Sequence, residues 1–176
     1  GVKTATVRRR VCSLSAIFNY SYVELDIERR NPFTRVIIPK EGADVSKRGT
    51  FTKEQLIEGY QIALSSGSTV KLLMPILGET GCRLAEVVGL RTEDVDLENE
   101  VLHIRPNNRR RLKTNGSERS LPLVGHALDA VVLLMSKTDG DWLFPQYIKE
   151  DGCYATYASN ALNKWLKKQY YGLTAH

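Results

Sequence analysis

Apolar residues recur at Val7, Val11, Leu14, Phe18, Tyr22 and Leu25, steps of three and four that lay one face along a helix of about six turns. The pattern predicts that this helix stops at Asn31, because the residue before Pro32 avoids helical angles. A stripe of that kind needs partner helices. Residues 1–34 therefore read as the end of a helical domain whose beginning lies upstream of Gly1. Residues 35–50 carry Pro39, Gly42, Gly49 and scattered charges without periodicity, and read as a linker.

A second domain is predicted over residues 51–176. Thr52 and Gln55 have the spacing of a capping box, opening a helix through Leu56, Ile57, Tyr60 and Ala63. Thr69 to Leu77 predicts an apolar helix kinked at Pro75, and Gly78 and Gly81 bracket a turn before a short helix from Leu84 to Val88. Val95, Leu97, Val101, Leu102 and Ile104 flank the polar Glu98, Asn99 and Glu100 as in a hairpin. A second hairpin is predicted to run from Arg110 to Thr114, turn at Asn115 and Gly116, and return to Leu123. Ala127 to Met135 reads as a buried helix. Tyr154 to Tyr170 reads as another, with Leu162, Trp165 and Leu166 inward and Lys164, Lys167 and Lys168 outward. The fold class is α+β, mainly helical, with a small antiparallel sheet.

Composition narrows the function without naming it. The apolar runs Leu72 to Leu77 and Ala130 to Met135 reach six residues each, far short of the roughly 18 needed to span a bilayer, so no membrane partner is expected. No apolar block follows Arg8, Arg9 and Arg10, which leaves a signal peptide unsupported and a cytoplasmic location expected. Cys12, Cys82 and Cys153 are widely spaced, with no CxxC and no histidine beside them, so neither a disulfide framework nor a metal site is predicted. The formal net charge is +5 over 176 residues. Its distribution says more than its size. Between His103 and Ser120 stand Arg105, Arg109, Arg110, Arg111, Lys113 and Arg119 against Glu118 alone, and a second basic cluster lies between Lys3 and Arg35. An anionic partner fits both.

Arg83 opens the short helix and Glu86 follows one turn later on the same face, so the carboxylate could fix the guanidinium. Spacing alone fits a surface pair as well as an arginine anchored for a phosphate, which its planar fork suits. Lys113 stands beside Arg109, Arg110 and Arg111 near the predicted hairpin tip. A solvated basic loop fits that run; so does a hairpin laid against a nucleic-acid backbone, with one lysine placed to protonate a leaving oxygen. His176, Tyr170 and Tyr171 carry no signal by themselves. An RNA-binding reading would need stacking aromatics beside the basic loop, and Leu102 to Leu123 contains no Phe, Tyr or Trp.

Three segments together resemble a known family. They are TGCRLAEVVGLRTEDVDLENEVLHI, RRRLKTNGSERSLPL and GLTAH, and the phrase ERRNPFTRVIIP upstream resembles that family's join between domains. In order and spacing they are similar to the tyrosine recombinases, the phage integrase class. The resemblance implies a core-binding domain ending in residues 1–34 and a catalytic domain over 51–176. It makes Arg83 the first catalytic arginine, Lys113 the general acid, His176 the histidine of an H-x-x-R motif and Glu86 a supporting residue. A tyrosine would attack the scissile phosphate of double-stranded DNA to give a 3′ phosphotyrosine link, with no metal or nucleotide cofactor and with other protomers on the DNA, four in the family's assemblies. Arg8, Arg9, Arg109, Arg110, Arg111 and Arg119 would supply DNA contacts. The family's second arginine and its nucleophilic tyrosine would stand beyond His176, so this chain alone is expected to bind DNA without cutting it. The competing reading is a non-catalytic DNA-binding remnant of the same fold.

Overall fold

The computed structural model describes residues 1–45, 49–170 and 173–175. The chain divides into two compact units, residues 1–48 and 49–176.

The first unit is built on helix α1 (Thr4–Glu24), which buries none of its residues. It ends well before Asn31, contrary to the sequence expectation. Asp26 adopts the left-handed conformation (φ 50°), and the N–H of Ile27 donates to the carbonyl of Tyr22 at 2.9 Å, a closure that satisfies the last turn before the proline is reached. Asn31 is instead a buried clamp whose amide donates to the Ser15 carbonyl and to Asn19 Oδ1 at 2.8 and 2.6 Å. The segment read as a linker folds back along α1. Thr4 bonds Asp44, and Arg8 forms a two-pronged pair with Glu41.

In the second unit the Thr52–Gln55 capping box forms as predicted and opens α2 (Lys53–Ser66). Helix α3 (Thr69–Thr80) is the centre of the core, with Leu72, Leu73 and Ile76 fully buried and α2 and two later helices, α5 (Gly125–Met135) and α6 (Ala155–Gln169), packed around it. It runs through Gly78, where the sequence predicts a turn, and ends at the left-handed Gly81. Gly78 serves close approach: a Cβ there would lie 1.9 Å from the Tyr60 hydroxyl. Helix α4 (Leu84–Val88) then leads to the strands β1 (Val95–Asp96), β2 (Val101–Ile104) and β3 (Arg119–Pro122), which form one antiparallel sheet in chain order. Leu102 pairs with Leu121 and Ile104 with Arg119, and Leu102 and Ile104 point into the core.

The second hairpin differs from its expected form. Residues 110–114 form no strand, and β3 pairs with β2 across a long loop, residues 105–118. Asn107 is the reason. Its side-chain oxygen accepts from the N–H groups of Arg109 and Arg110 at 3.1 and 2.8 Å, and its backbone N–H donates to the Arg110 carbonyl at 3.0 Å. The backbone groups a ladder would need are spent in a local turn. Helix α5 (Gly125–Met135) follows as predicted. A two-stranded hairpin, β4 (Ile148–Lys149) and β5 (Gly152–Cys153), precedes α6 (Ala155–Gln169), which buries Leu162 and Leu166 and exposes Lys164, Lys167 and Lys168.

Gly78→Ala is expected to destabilise the second unit by about 1–3 kcal/mol, because the buried Tyr60 ring cannot withdraw without leaving its own packing. Adding Tyr60→Phe in the same chain should recover part of that loss, since the nearest atom is the hydroxyl; urea denaturation of the single and double variants checks both.

Candidate active site

Arg83 is the residue just before the short helix α4, and its side chain does not cap the helix. The first turn is closed from the other direction, by Glu86 reaching back to accept from the Arg83 backbone N–H at 3.0 Å. The same carboxylate accepts from Arg83 Nη1 at 2.9 Å and from Arg119 Nη2 at 2.8 Å. Its side chain is 4% exposed, against 52% for Arg83 and 32% for Arg119. Burial works against the charge on Glu86, yet the bond from Arg119 and the Arg83 N–H outweigh it and hold the carboxyl below its usual range. The result is a buried anion between two cations.

The two cations are used differently. Arg119 spends Nη2 on Glu86 and the Cys82 sulfur and Nη1 on the Ser117 carbonyl at 2.8 Å. Arg83 spends only Nη1, on Glu86 and on Ser117 Oγ at 3.2 Å, so its Nε and Nη2 have no partner among the described residues. Half its side chain is exposed to solvent.

Lys113 is exposed on the 105–118 loop and makes no ion pair among the described residues. The loop is nevertheless tied to Arg83, because Thr114 Oγ1 and Ser117 Oγ share a hydrogen bond of 2.8 Å and Ser117 Oγ also accepts from Arg83. A cavity of about 340 Å³ opens beside it, lined by Pro106, Arg111, Leu112, Thr114 and Glu118. Arg83, Glu86 and the Lys113 loop thus meet in one place. His176 lies outside the described residues.

The predicted anion-contacting arginines are sorted by burial. Arg111 is exposed, Arg109 half-buried, and Arg9 exposed on α1. Arg110 is not on the surface: it is 5% exposed, its Nε bonds the Gly89 carbonyl at 3.4 Å, and its two terminal nitrogens are buried without a hydrogen-bond partner. Burial lowers its proton affinity. Gly89 makes room for it, since a Cβ there would lie 2.7 Å from the Arg110 side chain. Arg8 is held by Glu41 and Arg119 by Glu86, so neither offers a free fork.

Three further residues, to which the sequence assigns no individual role, take part. Ser117 is buried at the junction of Arg83, Thr114 and Arg119; Asn107 ties the loop to α4 by donating to the Gly89 carbonyl at 2.9 Å; Arg105 bonds the buried Asp94 through Nε and Nη2 at 3.0 and 2.8 Å. The spacing Arg91-x-x-Asp94 repeats Arg83-x-x-Glu86 and was the available signal for the last, since Asp94 caps its turn by accepting from the Arg91 N–H at 3.0 Å.

Residues 50–176 match the phage integrase family. The tyrosine recombinase XerC of Roseiflexus castenholzii is 32% identical over 133 residues, 73% of this chain and 39% of that protein. The shufflon-specific DNA recombinase of Escherichia coli is 28% identical over 136 residues, 77% of this chain and 33% of that protein. The chain therefore spans less than half the length of these relatives. Among solved structures, the Tn1549 transposon integrase in complex with transposon right end DNA superposes with a TM-score of 0.73 at 20% identity, covering 100% of this chain and 64% of that one. XerA recombinase superposes with a TM-score of 0.53 at 19% identity, covering 88% and 52%. At such identities the likeness is one of fold.

Because the Glu86 carboxyl is held below its usual range, its pairing contributes stability that is complete above about pH 4.3 and is lost as pH falls through the folded-state value. Glu86→Gln is expected to lose about 1–3 kcal/mol at pH 7, less than the ~3–5 of a fully buried pair because both guanidiniums keep water contact. Its stability should also fall less steeply between about pH 5 and 3, which urea midpoints across that range measure.

Proposed function

Because the chain belongs to the phage integrase family, we propose that it carries the first part of the active site of a site-specific DNA recombinase that works through a 3′ phosphotyrosine intermediate. One observation supports this reading most: a half-exposed Arg83 held by a buried carboxylate, with Nε and Nη2 unpartnered among the described residues, and bonded to the loop that carries Lys113. That arrangement suits a phosphodiester. The free Nε and Nη2 of Arg83 would neutralise the non-bridging oxygens, which gain charge as a fifth oxygen approaches phosphorus. Lys113 would deliver a proton to the 5′ oxygen as the phosphorus–oxygen bond breaks, while a tyrosine oxygen, giving up its phenolic proton, bonds phosphorus from the opposite side. His176 would share the neutralisation.

The attacking tyrosine is assigned to none of residues 1–176. Tyr170 is buried, its ring edge-on to Phe51 and its hydroxyl bonded to Glu58 at 3.2 Å, which suits packing. Residues 1–34 would belong to the core-binding domain and 51–176 to the catalytic domain, with double-stranded DNA as partner and further protomers, four in all, on the recombination site. The DNA complex solved for the Tn1549 integrase supports the partner. Direct phosphate contacts fall to Arg109, Arg111, Lys113 and Arg9.

Arg109→Ala with Arg111→Ala should weaken binding to duplexes of any sequence and reduce the slope of log affinity against log salt by about 0.9 for each phosphate no longer neutralised. Arg110→Ala, by contrast, should leave the slope unchanged and act on folding. Fluorescence titrations from low to moderate salt separate the two. For the chemistry, the 176-residue chain is expected to bind a nicked duplex of its attachment site without an SDS-resistant adduct, and the natural gene product to form one that Arg83→Ala abolishes; an adduct with the short chain overturns the assignment of the nucleophile.

A further inference from the structure

The 105–118 loop is pinned at both ends in the same way. Arg105, directly after β2, bonds the buried Asp94; Arg119, the first residue of β3, bonds the buried Glu86. Each carboxylate also closes a helical turn by accepting a backbone N–H, from Arg91 and Arg83 respectively. Both arginines also reach a backbone carbonyl, Arg105 that of Glu93 at 3.1 Å and Arg119 that of Ser117 at 2.8 Å, but only the Arg119 contact leads on to Arg83, because Ser117 Oγ accepts from the Arg83 guanidinium.

We infer that Arg119 is a positioning residue for the proposed active site: it sets the Arg83 guanidinium through Glu86 and the Lys113 loop through Ser117, and touches no DNA phosphate itself. The inference rests on the recombinase reading of Arg83 and Lys113. Three observations carry it. The Arg119 fork is spent on protein acceptors, while that of Arg83, on the same carboxylate, is largely unspent. Without Arg119, one oxygen of Glu86 would keep only the Arg83 backbone N–H, and the carboxylate could turn away from the guanidinium it orients. The Ser117 carbonyl would lose its Arg119 bond in a residue only 6% exposed. A planar fork can serve both acceptors at once; an ammonium on a flexible stem cannot hold both in the same geometry.

Arg119→Lys separates the two roles, because it keeps the charge a phosphate would feel and loses the fork. In the 176-residue chain, DNA affinity should stay within about twofold of the parent with the same salt slope, as every phosphate keeps its cation. In the natural gene product, single-turnover cleavage of a nicked duplex should fall on the order of 10- to 100-fold at saturating DNA, with half-saturation unchanged. The side-chain Nε–H resonance of Arg83 and the backbone amide of Lys113, read by NMR in the DNA-free chain, should both shift. Glu86→Asp, which keeps the charge but draws the carboxylate back by one methylene, should shift the same two signals.

Wild-type cleavage by Arg119→Lys, together with a salt slope reduced by about one in Arg119→Gln, overturns the inference and makes Arg119 a phosphate contact. Unmoved Arg83 and Lys113 signals in Arg119→Lys overturn it whatever the cleavage result, and in Glu86→Asp they do so if Arg119→Lys fails to fold. Absence of any cleavage by the parent gene product would instead overturn the recombinase reading, while the NMR comparison still decides the role of Arg119.

Discussion

A carboxylate buried to 4% exposure must be met by donors on every side, and Glu86 obtains them from its own helical turn and from Arg119, 33 residues further on. Two come from Arg83, at the start of α4, and one from Arg119, at the start of β3. An isolated buried charge would cost several kcal/mol, so the helix and the sheet are forced to meet at this point. The 105–118 loop then has fixed ends. Asp94 and Arg105 repeat the device at the other end of the loop, and between them Asn107 and Arg110 tie its middle to the Gly89 carbonyl. A loop of this length without regular strands would otherwise be mobile. Here its two arginine anchors and its asparagine turn hold it to the sheet and to the end of α4, while Arg111 and Lys113 stay exposed.

Arg109, Arg110 and Arg111 show how far one residue type can be divided by its surroundings. The Asn107 turn presents Arg111 to solvent and drives Arg110 beneath α4, where its terminal nitrogens find no acceptor. That burial is costly, and the absent side chain of Gly89 is what makes it sterically possible. The basic cluster is therefore smaller at the surface than its count of arginines implies. Its outward charge comes from Arg109, Arg111 and Lys113, the residues on which a backbone-contacting role has to rest.

Elements whose signals are local could be read from the sequence. The Thr52–Gln55 box, the short helix after Gly81, the hairpin around Glu98 to Glu100 and the lysine face of α6 each depend on residues within one or two turns of one another. The misreadings have different causes. Gly78 reads as a turn until Tyr60, 18 residues upstream, is known to place its hydroxyl against it. Residues 110–114 read as a strand, but Asn107 takes the backbone groups of Arg110 at its start, and the true partner of β2 is β3. A proline signals an end for α1 at Asn31, whereas Asp26 closes the helix earlier with a left-handed residue. β4 and β5, two residues each, are too short to carry a period at all. In the site, Arg83 and Glu86 were legible as a pair, but the burial that separates a brace from a surface ion pair was not. Arg119 could be seen only as one more positive charge.

The division between Arg83 and Arg119 bears on how such a site can work. A guanidinium that has to reorganise when negative charge develops contributes little to lowering a barrier; one already held in place, with donors unpartnered, contributes most of its electrostatic interaction. The Arg83 side chain meets that condition because its rigidity comes from behind. Glu86 holds one nitrogen, Ser117 Oγ holds the same nitrogen from the loop, and the opposite edge of the fork stays open. Were Glu86 exposed, the pair would be worth a few tenths of a kcal/mol and the arginine would wander. Were Arg83 as buried as Arg110, its charge would be fixed and out of reach of any ligand. The useful state lies between these two, and it is reached by placing the anion in the core, one arginine behind it and the other at its rim.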